Sequence, residues 1–222
     1  MMISSKIRIL LVDDHVIVRH GYRTLLEKLP DIEIAGEAAD ATEAYACFQD
    51  VRPDVVIMDI SMPGASGIEA IGHILRRDSN ARVLVFTMHQ NPAFVIQATR
   101  AGALGYITKS SAPDVLIRAV YEVHGGRRVL SPDIAQVVAI SKLRGEPVPL
   151  GELSPREFEI LQLLVGGRTP QEIAQFLHLS PKTVANGHYE IKRKLGVKSD
   201  IELVRLALRL QVLDLVIDDV KL

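Results

Sequence analysis

From Ile7 to about His124, short apolar runs alternate with segments whose apolar residues recur at helical spacing. The runs are Ile7–Val12, Ile32–Gly36, Val55–Met58, Val83–Phe86 and Gly105–Ile107. Three of them are rich in Val and Ile and show no polar alternation. That is the pattern of strands covered on both faces. Between the runs lie Val16–Leu29, Ala41–Asp50, Gly67–Arg77, Pro92–Ala101 and Pro113–His124. Pro92 and Pro113 stand where a first helical turn tolerates proline. Five such alternations predict an α/β fold, a doubly wound five-stranded parallel sheet with helices on both faces.

After Gly125-Gly126 the pattern changes. Ser131-Pro132-Asp133 opens a helix that runs to about Leu143. The stretch Arg144–Gly151 mixes Gly, Pro and charge and reads as an exposed linker. Beyond it no strand-like run occurs. Helical segments follow at Pro155–Leu164, Pro170–Leu177, Pro181–Leu195 and Asp200–Leu210. Ser154-Pro155-Arg156-Glu157 and Ser180-Pro181 are N-cap signals with proline at the first helical position. The short link His178-Leu179-Ser180 is the turn of a helix-turn-helix. These boundaries predict one domain at 5–126, a helix and linker at 127–151, an all-α four-helix domain at 152–213 and a tail at 214–222. The tail mixes acids with apolar residues, which suits either a short docked segment or a disordered end, and its sequence points to no function.

Composition narrows the function classes. The chain has 222 residues, 48% apolar and 24% charged, with a formal charge of −1. A near-neutral chain does not coat nucleic acid or membrane over its whole surface, although a local basic patch is compatible with it. Cys47 is the single cysteine, so no internal disulfide forms, and its mid-helix place suits packing rather than nucleophilic chemistry. No apolar run reaches the roughly 18 residues that a membrane span needs. Met1–Lys6 lacks the apolar stretch of a signal peptide. A cytosolic (cytoplasmic) location with no membrane partner is therefore expected. Tryptophan is absent and aromatics make up 5%, which leaves little surface for stacking single-stranded bases.

The candidate chemistry lies at the ends of the apolar runs. Asp13-Asp14 follows the first, Asp59 the third, Thr87 the fourth and Lys109 the fifth. In an open parallel sheet the carboxyl ends of the strands share one edge, where ligands bind. Three carboxylates, a hydroxyl and an ammonium would then meet. Close carboxylates repel, and burial would push protons onto them. A divalent cation removes the conflict, and magnesium, which takes oxygen ligands and keeps several waters, suits this donor set. One carboxylate can then accept a phosphoryl group, while Lys109 and Thr87 contact phosphoryl oxygens.

Leu10-Leu11-Val12-Asp13-Asp14-His15, Val56–Gly64, Phe86-Thr87 and Gly102–Lys109 resemble the receiver domain of bacterial response regulators, a flavodoxin-like fold. The resemblance implies that Asp59 is the phosphoacceptor. It implies that Asp14, Asp59 and the Ser61 carbonyl ligate Mg2+, with Asp13 reaching it through water. Thr87 and Tyr106 are implied to be the switch pair, the hydroxyl moving toward the phosphoryl group as the ring turns inward. Many receivers carry a proline with a cis peptide after the lysine. Ser110 stands there in this chain, which leaves the geometry of that bond open.

The C-terminal helices carry Lys182, Lys192, Arg193, Lys194 and nearby Lys198 against one acid, Glu190. A basic patch beside a helix-turn-helix suggests phosphate contacts. This half resembles the LuxR-type domain of the NarL/FixJ subfamily of response regulators. The resemblance makes Lys182–Leu195 the recognition helix, with its N-terminal part in the major groove. Lys182, Thr183, Asn186 and Tyr189 would face DNA, and Lys192 and Arg193 would lie nearer its backbone. Ile201, Val204 and Leu208 match the family's dimer surface, although an apolar stripe at that spacing is also ordinary core. Ala185 stands where lysine is frequent, and Gly187 where His or Tyr is usual. A glycine inside a helix costs about 1 kcal/mol relative to alanine. Either the helix is bent, frayed or weakly specific there, or the glycine allows close approach of the backbone to the groove.

The combined expectation is a two-component transcription regulator. A sensor histidine kinase phosphorylates Asp59, and the chain then forms a homodimer on promoter DNA. It stores a phosphoryl group and slowly loses it rather than acting as an enzyme on a substrate. A phosphatase with an aspartyl nucleophile would usually place a second acid where Ser61 stands. A protein-interaction module that has lost DNA binding is the other rival, motivated by Ala185 and Gly187.

Overall fold

The computed structural model describes residues 6–62, 67–143, 149–210 and 212. The linker stretch 144–148, the tail 214–222, Pro63-Gly64 and the first five residues lie outside the described residues. The chain forms two compact units, Met1–Pro147 and Val148–Leu222.

The first unit is built on strands β1 (Ile7–Val12), β2 (Ile32–Ala38), β3 (Val55–Met58), β4 (Val83–Thr87), β5 (Gly105–Thr108) and β6 (Val129–Leu130). They form one parallel sheet in the order β2-β1-β3-β4-β5-β6. The expected five-stranded sheet therefore has six strands. The sixth is a two-residue segment pairing Val129 with Gly105 and Leu130 with Tyr106. Two residues are too few to show a hydrophobic period, so the sheet edge alone reveals it. The unit also takes in α6 (Pro132–Leu143).

Helices α1 (Val16–Leu26), α2 (Ala41–Val51), α3 (Gly67–Arg77), α4 (Pro92–Ala101) and α5 (Pro113–His124) fill the intervals. Helix α1 stops three residues short of the expected Leu29, because Pro30 disfavours helical geometry at the residue before it. The Asp40 carboxylate accepts from the N–H groups of Thr42 and Glu43 and starts α2. The Asn91 side chain caps α4 ahead of Pro92, and left-handed Gly102 ends it. One face of the sheet presents Ile7, Ile9, Leu11, Ile57 and Phe86 in a core with Leu26 of α1 and Leu116, Val120 and Val123 of α5. Helices α2, α3 and α4 pack side by side in sequence. Register slips by one residue where Leu10 pairs with Gly36. A Cβ on Gly36 would lie 2.5 Å from Cys47 Sγ, so the glycine lets α2 approach the sheet. Burial raises the Cys47 thiol pKa, which keeps it a packing residue rather than a thiolate.

The second unit is helical. A short 3-10 turn (Pro149–Glu152) precedes α7 (Pro155–Val165), α8 (Pro170–Phe176), α9 (Pro181–Leu195) and α10 (Asp200–Arg209). Reciprocal capping boxes, Ser154 with Glu157 and Thr169 with Glu172, start α7 and α8. Leu153, Phe158, Leu161, Ile173, Val184, Ile191 and Leu203 form its buried interior. No helix among the described residues is long and apolar enough to cross a membrane.

Candidate functional site

Strand register brings the polar strand ends together. Val12 pairs with Met58, so Asp13 and Asp59 emerge side by side, and the Asp59 N–H donates to the Val12 carbonyl at 2.9 Å. Thr87 pairs with Thr108, and the Lys109 N–H donates to the Thr87 carbonyl at 2.8 Å. The Lys109 ammonium stands 2.5 Å from Asp59 Oδ2 and 2.7 Å from Asp13 Oδ2. Asp13 and Asp59 are each only 2% exposed. Burial works against the ammonium, but Asp59 and Asp13 outweigh it and raise the Lys109 pKa above its ordinary value.

The other expected pocket residues take defined places. Ser61 donates its N–H to Asp59 Oδ1 at 2.9 Å, and its hydroxyl lies 2.9 Å from the buried Thr87 hydroxyl. Tyr106 points inward, 2% exposed, and its hydroxyl donates to the His89 carbonyl at 3.0 Å. Burial first, and the Asp59 charge second, push that phenol far above its ordinary pKa, so it stays a neutral donor. No cis peptide occurs among the described residues, which resolves the bond between Lys109 and Ser110 as trans.

Three supporting groups were not legible in the sequence. The His15 ring lies 2.9 Å from Asp14 Oδ1, and the His15 backbone N–H donates to Asp13 Oδ1 at 2.9 Å. Arg19 donates to the Asp13 carbonyl at 2.5 Å and to Glu37 at 2.9 Å, bracing the turn that carries both acids. Gly67 opens α3 against the Asp59 carbonyl, where a Cβ would stand at 2.3 Å. Arg19 and Gly67 depend on how the loops fold back on Asp13 and Asp59, which no local pattern shows, and the only signal for His15 is its place in the quoted motif.

The acids form a group suited to a cation. Asp13, Asp14, His15 and Asp59 each offer a ligand atom, all within 4.8 Å of one another. Asp14 Oδ1 is buried and, among the described residues, has no hydrogen-bond partner beside the His15 ring of its ion pair. An acceptor in that position, among carboxylates, fits a hard divalent ion.

In the second unit, α9 is regular from Pro181 to Leu195 despite Gly187. A Cβ on Gly187 would lie 2.8 Å from Ile160 Cδ1. The glycine thus serves close packing of α9 on α7, and the helix is not frayed there. Lys182, Thr183, Asn186, Tyr189 and Arg193 lie along the exposed face, with Val184 and Ile191 inward. The Thr183 hydroxyl lies 2.8 Å from the capping Ser180 hydroxyl. Lys192 pairs with Asp200, Arg193 with Glu190 and Lys194 with Glu157. On α10, Leu203 and Ala207 are buried, whereas Ile201 and Leu208 are exposed and Val204 half-buried.

A parallel-sheet unit with an acidic strand-end pocket, joined to a helix-turn-helix unit, defines a phosphorylation-type signalling regulator. Residues 9–121 match the response regulator receiver domain, and residues 151–207 match the bacterial regulatory proteins of the luxR family. The chain belongs to the two-component response regulators, and its receiver and LuxR-type DNA-binding domains place it in the NarL/FixJ subfamily. It is 38% identical over 205 residues to the response regulator UvrY of Escherichia coli K12, covering 91% of this chain and 94% of that protein. A crystal structure of a LuxR-family two-component response regulator from Aurantimonas sp. SI85-9A1 is 52% identical, with a TM-score of 0.61, over 63% of this chain and 99% of that one. RcsB of Salmonella enterica serovar Typhimurium, bound to promoter P1flhDC in the presence of the phosphomimetic BeF3-, is 29% identical, with a TM-score of 0.73, over 90% of this chain and 98% of that one.

Proposed function

We propose that Asp59 is the phosphoacceptor of a DNA-binding switch. The observation that carries this reading is the Lys109 ammonium held between two buried carboxylates at the sheet edge. A sensor histidine kinase or a small phosphodonor supplies the phosphoryl group. An Asp59 carboxylate oxygen forms the new P–O bond as the donor's bond to phosphorus breaks, and the departing group keeps the electron pair. Asp14, Asp59 and the Ser61 carbonyl, with Asp13 behind them, would hold Mg2+, which would supply charge neutralisation at the phosphoryl oxygens. Lys109 turns from Asp59 Oδ2 to a phosphoryl oxygen. Thr87 exchanges the Ser61 hydroxyl for another, and Tyr106 in its inward position holds the loop through the His89 carbonyl. The phosphoryl group is later lost slowly to water.

The output is a homodimer on promoter DNA in the cytoplasm. Lys182, Asn186 and Tyr189 reach base edges from the exposed face of α9, with Thr183 at its capped start, and Lys192 and Arg193 lie nearer the phosphates. Ile201, Val204 and Leu208 of α10 supply the dimer contact. The domain division that accompanies this is a receiver at 5–126, a connecting helix and linker at 127–151 and a DNA-binding domain at 152–213.

Asp59→Asn keeps the shape of the side chain and removes the nucleophile. With phosphodonor and Mg2+, the wild-type protein is expected to dimerise and to gain affinity for promoter DNA, with the salt dependence of phosphate contacts. The variant is expected to gain neither, as read by light scattering and fluorescence anisotropy. An Asp59→Asn protein that responds as wild type does would overturn the reading.

A further inference from the structure

Thr108 ends β5 directly before Lys109 and is fully buried. Its hydroxyl donates to Asp133 Oδ2 at 2.6 Å. A threonine hydroxyl has one proton and two lone pairs, so it accepts from the two remaining neighbours, Ser110 Oγ and Ser111 Oγ, each at 3.0 Å. Asp133 lies in the first turn of α6, far from β5 in sequence but next to it in the fold. The chain reaches α6 from the sheet edge, where Ser131 donates its N–H to the Tyr106 carbonyl at 3.0 Å. Burial opposes the Asp133 charge, but the polar donors around it, the Thr108 hydroxyl among them, prevail and hold its pKa below the usual value. It is therefore an ionised acceptor at neutral pH, and hydrogen bonds to charged groups are the stronger kind.

The turn Lys109-Ser110-Ser111 contains no proline to stiffen it. Its fixed points are the Lys109 N–H on the Thr87 carbonyl, the Ser111 N–H on the Thr108 carbonyl and the hydroxyl cluster around Thr108. Lys109 needs such fixing, because its ammonium must sit within hydrogen-bond distance of two carboxylates at once. A long flexible side chain gains from a rigid base when its head must hold one position.

We propose that Asp133 is a positioning residue for Lys109. Its bond to Thr108 fixes the turn that carries the ammonium and makes the pocket and α6 one mechanical unit. This rests on the reading of Lys109 as a phosphoryl ligand. With the bond made, Lys109 is already placed for a phosphoryl oxygen, so the made Thr108–Asp133 bond favours phosphoryl binding. Because such coupling is reciprocal, phosphoryl binding in turn favours the made bond and holds the first turn of α6 more firmly.

The test uses the full chain, with beryllofluoride and magnesium as the phosphoryl probe. Affinity is read by fluorine NMR, and amide exchange of residues 132–143 by mass spectrometry. Thr108→Val keeps the shape and removes the hydroxyl, Asp133→Asn removes the charge, and Thr108→Ser restores the hydroxyl. Thr108→Val and Asp133→Asn are expected to weaken beryllofluoride binding about tenfold, the factor that ~1.4 kcal/mol gives. Thr108→Ser is expected to bind as wild type does. Beryllofluoride is expected to change amide exchange in α6 of the wild-type protein but not of Thr108→Val. A Thr108→Val protein that melts earlier yet binds beryllofluoride as tightly as wild type would show a merely structural bond and overturn the inference alone. If the wild-type protein fails to bind beryllofluoride, the reading of the pocket falls, and the inference with it.

Discussion

Lys109→Met is expected to destabilise the metal-free protein by about 3–5 kcal/mol near neutral pH, the usual cost of removing one partner from a buried ion pair. The ammonium faces Asp59 at 2.5 Å and Asp13 at 2.7 Å. Without it, two buried carboxylates confront each other with no counter-charge. The Lys109 pKa is raised, because the pull of Asp59 and Asp13 outweighs the penalty of burial. Its contribution is complete below the ordinary lysine value of about 10.4 and disappears as pH rises through the folded value. Urea unfolding of both proteins from neutral pH through the alkaline range checks the size of the loss and this dependence. Magnesium binding to the folded variant is expected to recover part of the loss by mass action. Equal stability of the two proteins at neutral pH would contradict the account.

The second large effect is Gly67→Ala. A Cβ there would lie 2.3 Å from the Asp59 carbonyl oxygen and 2.7 Å from Ile60 Cα. Both obstacles are backbone, so no side chain can step aside. Either the start of α3 or the segment carrying Asp59 must move. A loss of about 2–3 kcal/mol is expected, at the upper end of ordinary overpacking. Magnesium affinity should fall with it, because Asp59 moves with its own carbonyl. Gly187→Ala provides the contrast. Its Cβ meets only the tip of Ile160 at 2.8 Å, and a helix gains about 1 kcal/mol from the exchange, so the net change should be small. Thermal unfolding and magnesium titration separate the two variants. A Gly67→Ala protein with wild-type stability and magnesium affinity would show that the close approach is not required.

What the sequence makes legible follows from the range of each interaction. The strands of the sheet centre are continuous apolar runs because helices cover both faces, and that signal is local. The acidic pocket is also legible, since a parallel sheet brings strand ends to one edge whatever lies between them. β6 is too short to carry a period, and only the exposed edge of β5 selects its partner. The irregularity expected at Gly187 is absent because the neighbour that explains the glycine, Ile160, lies on another helix. Arg19 on the Asp13 carbonyl and Asp133 on the Thr108 hydroxyl are equally hidden. Both are ordinary polar residues on helix faces until the fold supplies their partners. Conversely, the charges at Lys192, Arg193 and Lys194 look like one free basic patch in sequence, yet each has an acid partner in the fold. Lys182 makes no ion pair among the described residues, which leaves it the most available cation on the exposed face of α9.

The most direct test of the central claim is the intact mass of the chain after incubation with a small phosphodonor and magnesium. The account expects a gain of one phosphoryl group in the wild-type protein, mapped by reductive trapping to Asp59, and no gain when magnesium is chelated. A phosphoryl group found on another residue, or no gain with magnesium present, would contradict it.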